Sequence, residues 1–77
     1  MSKEEEFRRK ARKVIEEYKK KIDEFAETLK RDRLFIVILA IPYAIETHFL
    51  AEEYNIDPDR RRKIIGEILN EVLGIKE

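Results

Sequence analysis

Apolar and polar residues alternate with helical spacing at both ends of this chain, and the alternation stops in the middle. From Leu34 to Ile45 the sequence reads Leu-Phe-Ile-Val-Ile-Leu-Ala-Ile-Pro-Tyr-Ala-Ile, with no charge, in a chain that is 44% charged. The amphipathic flanks are expected to sheath that stretch.

The first flank predicts one long helix over about 2–31. Ser2 is a good N-cap, and Glu5 three places on completes a capping box. Glu4, Glu5 and Glu6 place negative charge where the helix dipole favours it. Apolar residues then recur every eleven positions: Phe7, Tyr18 and Leu29; Ala11 and Ile22; Val14 and Phe25; Ile15 and Ala26. That period, about 3.67 residues per turn, keeps one stripe nearly straight along the helix. Acid-to-base pairs four apart (Glu4–Arg8, Glu5–Arg9, Glu6–Lys10, Glu16–Lys20, Glu17–Lys21 and Glu27–Arg31) are expected on the outer face.

Asp32 can cap a second helix over about 33–54. Periodicity cannot assign the apolar run itself, because it is apolar on every face. Its β-branched residues favour a strand, but a lone strand would leave its amides unpaired. A helix broken or kinked near 41–42 by Pro42 is therefore the better reading. Tyr43, Ala44, Ile45, Phe49, Leu50 and Tyr54 share one broad face beyond it. Asn55 suits a left-handed terminator, with Ile56 as its apolar contact. Asp57, Pro58 and Asp59 then open a last helix over about 58–73. Its core face is Ile64, Ile65, Ile68, Leu69, Val72 and Leu73, and Gly74 ends it, with Ile75 folding back as a latch. Gly66 in mid-helix costs about 1 kcal/mol relative to alanine, which suggests a close helix crossing there.

These elements make one all-α domain over 1–77. It is an antiparallel three-helix arrangement with a long N-terminal helix and a Pro-kinked, buried central helix; a break at the proline would make four helices. With 77 residues and no cysteine, the core lacks a disulfide and stays small, supplying about 3–5 kcal/mol. A central helix can hide two faces against its neighbours. The third is the natural place for a contact with a second copy, so a homodimer through the apolar central segment is expected.

The net charge is zero, with 17 basic and 17 acidic residues, 12 and 9 of them in residues 1–33 and 5 and 8 in residues 34–77. That balance argues against a general nucleic-acid binder. The uncharged run is shorter than the roughly 20 residues a bilayer needs, and extending it to Ala51 brings in Glu46 and His48, which are costly in lipid. The N-terminus mixes acids and bases and does not read as a secretory signal. A soluble, cytoplasmic-type protein that does not engage membranes is expected.

Candidate chemistry is sparse. One histidine does not make a zinc centre. His48 has Glu52 on its own helical face but no Ser or Cys beside it for a nucleophile–base pair. A pocket near Pro42 would gather Tyr43, Glu46 and His48. Arg60, Arg61, Arg62 and Lys63 form a basic run at a helix start, where phosphates bind, yet Asp57 and Asp59 flank it and no aromatic residue interleaves. No catalytic residue, metal ligand, cofactor or small-molecule site is assigned, and no enzyme activity is expected.

Two resemblances follow from these residues. The capping box, the dense Glu-to-Lys/Arg pairs, Asp57-Pro58 and the terminal Gly74 make the chain similar to computationally designed helical proteins, which implies a structural scaffold. Residues 34–74 also resemble ribbon–helix–helix DNA-binding proteins in order: a short strand, a proline opening a helix, a turn and a second helix. That resemblance implies an obligate dimer whose paired strands read bases, with Arg60, Arg61, Arg62 and Lys63 holding phosphate. Leu34–Ile41, however, offers no polar side chain to a base edge.

Overall fold

The computed structural model describes residues 2–74, and all of its regular structure is helical. Helix α1 spans Lys3–Glu24, α2 Ala26–Arg31, α3 Leu34–Glu53 and α4 Pro58–Leu73. The all-α architecture and the long N-terminal helix follow the sequence pattern.

The helix ends form where local side chains satisfy free backbone groups. Ser2 Oγ accepts from the Glu5 N–H at 3.1 Å, and the Asp57 carboxylate accepts from the Arg60 N–H at 3.3 Å. Asp32 Oδ1 accepts from the Leu34 N–H at 3.1 Å and starts α3. At the other end of α3, Asn55 adopts φ 54°, the Ile56 N–H reaches the Ala51 carbonyl at 2.9 Å, and the Asn55 N–H reaches that of Glu52 at 3.2 Å. These two bonds make a Schellman turn, and buried Ile56 is its apolar contact. Gly74 takes φ 68° and closes α4. Ile75 lies outside the described residues.

One expectation about the rods is corrected and one alternative is settled. The first helix does not run unbroken to residue 31: Phe25, at φ −103° and ψ 23°, separates α1 from α2. Its ring turns to meet Phe35 edge-on at 5.7 Å, and that contact sits at the irregularity. Of the two alternatives at Pro42, a break and a kink, the break does not occur: α3 continues through the proline. Four helices result, with the break in a different place.

Helix α1 is the spine. Helix α3 packs along it antiparallel, with Tyr18 against Tyr43 at 5.4 Å near the middle and Phe25 against Phe35 at the far end. Helix α4 packs on α1 in parallel, as the ascending ion pairs Glu4–Arg60, Arg8–Glu67 and Arg12–Glu71 show. The core lies where all three meet. Phe7, Ala11, Ala51, Ile64 and Ile68 have no accessible surface, Ile15 and Ile56 nearly none, and Leu50, Tyr54, Ile65, Leu69 and Val72 close its rim. Its last ion pair joins Arg12 to Glu71, so α4 ends about halfway along α1. Beyond that point α1 and α2 face α3 alone. The radius of gyration is 13.1 Å, against about 11.5 Å for a compact chain of this length. The accessible surface is 5851 Å², against about 5,000 Å² expected for a monomer of this mass.

Candidate interaction surface

At about 100° per residue, α3 sorts into two faces. Leu39, Tyr43, Thr47, Leu50 and Tyr54 turn toward α1 and are half-buried or nearly so. Leu34, Val37, Ile38, Ile41, Ile45 and Phe49 turn the other way, where no helix lies. Leu34 is 72% exposed, Phe49 66% and Ile41 50%. Only Ala51 of α3 is buried. The expected burial of the central helix is thus corrected: α1 covers one side, and α4 reaches only the C-terminal part. The six outward residues form one stripe, about 22 Å long at 1.5 Å per residue. Each of the six is at least half exposed, and contiguous apolar residues left open in this way mark an interaction surface more often than a solvated one.

Helix α3 is also longer than the uncharged run that starts it. It has 20 residues, and an 18-residue window within it has a mean hydropathy of 1.9, so by length and composition it could cross a membrane. The sequence expectation of too short a segment is corrected here, because the helix extends through Glu46 and His48 to Glu53. As folded, however, α1 and α2 lie along it, and α1 carries exposed charged residues such as Lys13, Glu16, Glu17 and Lys20. Each charge drawn to the centre of a bilayer costs about 2.5–3.5 kcal/mol on insertion scales.

The residues singled out for a pocket do not converge. Tyr43 stacks inward on Tyr18, Glu46 is exposed, and His48 stands on the outer face. His48 instead joins a polar end to the apolar stripe. Its Nδ1 lies 3.1 Å from an Arg61 guanidinium nitrogen, and its Nε2 lies 4.0 Å from Glu52 Oε1. Arg61 donates to Glu52 at 3.1 Å and to the Ile56 carbonyl at 3.2 Å, while its buried Nε meets no acceptor among the described residues. The His48–Glu52 pairing was legible from spacing; Arg61 was not, because the Schellman turn alone brings it back.

The basic run is divided. Arg60 grips Glu4 through two bonds, one from Nε at 3.0 Å, and that hydrogen bond holds the Glu4 carboxyl below its ordinary range. Arg61 serves the His48 cluster. Arg62 and Lys63 remain on the surface. The strand implied by the ribbon–helix–helix resemblance does not form either, since Leu34–Ile41 is the first two turns of α3. Among the described residues no cluster of His, Cys, Asp and Glu fits a metal ion. An open cleft of about 430 Å³ beside Arg12, Glu16, Lys19 and Glu71 is rimmed by charges of both signs.

The chain is therefore an all-helical protein whose most distinctive feature is a half-covered apolar helix. No family model, curated protein or solved structure matches it.

Proposed function

We propose that this protein is a structural and interaction module, without catalytic activity of its own, that self-associates through the outer face of α3. The observation behind this reading is the uncovered stripe from Leu34 to Phe49. A second copy brings an equal stripe, so the two can cover each other's exposed apolar residues. A scaffold role also accords with the similarity to designed helical proteins. Sedimentation equilibrium over two decades of concentration tests the proposal. A mass that rises to a multiple of 9.3 kDa is expected, and Ile41→Glu should return it to one chain without loss of helix. A single-chain mass for the unaltered protein throughout would overturn it.

A further inference from the structure

We infer that two copies dock antiparallel, α3 against α3, with the acidic Glu52–Glu53 end of each copy seated over the basic Lys30–Arg33 start of the other; this rests on the self-association proposed above.

The argument begins with a mismatch inside α3. A helix favours acids at its N-terminus and bases at its C-terminus. Helix α3 has no acid in its first turn and no base in its last. Its charges run the other way, with Lys30, Arg31 and Arg33 just ahead of it and Glu52 and Glu53 in its last turn. All five are exposed. Within one copy only part of this is relieved: Asp32 caps the start, Arg61 reaches Glu52, and Lys30 meets Glu27 at 3.4 Å. Among the described residues Arg31, Arg33 and Glu53 make no ion pair.

An antiparallel second copy corrects both ends together. Its carboxylates come to the positive end of α3, and its cations come to the negative end. A parallel copy would stack basic on basic and acidic on acidic, compounding the mismatch. The apolar stripe accepts the antiparallel alignment. With a two-fold axis crossing near residue 43, Ile41 meets Ile45 of the other copy, and the bulky Phe49 faces the smaller Val37. His48 then lies over Ile38 at the edge of the apolar contact. The chain is also asymmetric in the matching sense, at +3 for residues 1–33 and −3 for residues 34–77.

The protein has no cysteine, so an introduced thiol is a unique reporter. Leu34→Cys and Phe49→Cys alter exposed side chains and leave the fold intact. Treated with a short bis-maleimide, a mixture of the two variants should give mainly the mixed dimer, and either alone little product. Efficient self-linking of each variant alone would mean parallel docking and overturn the inference, although self-association would stand. A single-chain mass in sedimentation is a different failure, that of the reading above. Charge reversal supplies an independent arm. Glu52→Lys with Glu53→Lys should weaken association by about tenfold, as should Arg31→Glu with Arg33→Glu, and mixing the two proteins should restore it. Loss without restoration on mixing would overturn the pairing. So would transfer of the unaltered chain onto phosphatidylcholine vesicles at the expense of the dimer, because lipid would then be what covers the stripe.

Discussion

The two ends of this molecule are made of similar residues and meet opposite fates. At one end Phe7, Ile64 and Ile68 are sealed from solvent; at the other Leu34, Val37 and Ile38 are more than half exposed. Intrinsic hydrophobicity does not distinguish them, since isoleucine appears in both sets. What differs is the number of helices at that level. Where α4 lies beside α1, those two helices and the C-terminal turn of α3 close a core along α1; past the end of α4 at Leu73 only two rods remain, and a pair of helices has no inside. The stability of the single chain is therefore concentrated at the three-helix end, and the two-helix end leaves its apolar side chains in solvent.

The sharpest way to break this contrast is to shorten one apolar side chain at each end. Phe7→Ala removes a side chain with no accessible surface and should cost about 3–5 kcal/mol. That is most of what a core of this size supplies, so the far-ultraviolet circular dichroism of the variant should report a largely unfolded chain. Leu34→Ala removes a side chain of similar character but 72% exposed. Urea unfolding in an Ile41→Glu background, which keeps the chain single, should place its cost under about 0.5 kcal/mol. Comparable losses at both sites would show that the two-helix end buries far more than its geometry indicates.

Most of the local architecture was legible in the sequence, because its causes lie within a few residues of their effects. Ser2, Asp57, Asn55 and Gly74 each terminate or start a helix by satisfying neighbouring backbone groups, and each does so where the pattern placed it. Of the eleven-residue stripe, Phe7, Ala11, Val14 and Ile15 are buried as the spacing implied, whereas Tyr18, Ile22, Phe25 and Leu29 are only half-buried and Ala26 is exposed. What failed depends on relations between helices. None of the six i,i+4 acid–base pairs expected in residues 4–31 closes. Glu4 and Arg8 reach across to α4 instead, and others pair three apart. The exposed apolar face was half legible. The run from Leu34 marked the helix that carries it, but nothing in it says that α4 stops short and leaves one side bare.

A smaller test sharpens the picture of α4, whose length sets the boundary between the two ends. Gly66 suggested a close crossing, yet a Cβ built there meets no atom within 4 Å. With no contact to protect, Gly66→Ala should stabilise the chain by about 0.5–1 kcal/mol, by lowering the entropy of the unfolded state and favouring helix. Gly74→Ala should act in the opposite sense. Its φ of 68° is left-handed, and an alanine there costs about 1 kcal/mol or more. Chemical denaturation of the two variants should therefore move the midpoint in opposite directions. A loss of stability in Gly66→Ala would mean that α4 packs more tightly than its neighbours indicate.

The smallest expected effect concerns the clasp at the outer tip of the three-helix end. The hydrogen bond from Arg60 is the main reason the Glu4 carboxyl lies below its ordinary value of 4.5, with the charges of Arg60, Arg8 and Lys63 adding to it. A carboxylate depressed in the folded state stabilises that state at pH values above its unfolded pKa. The contribution shrinks as pH falls through the lower, folded value. Glu4→Gln keeps the side chain's length and removes its charge. The melting temperature of the unaltered chain should therefore exceed that of the variant slightly at neutral pH, and the two should converge on acidification below about 4.5. Both partners are on the surface, where such pairs are well screened, so added salt should narrow the neutral-pH gap as well. A gap that stays constant across pH and salt would mean that the clasp positions α4 by shape alone, and that the three-helix end is closed by its apolar core without electrostatic help.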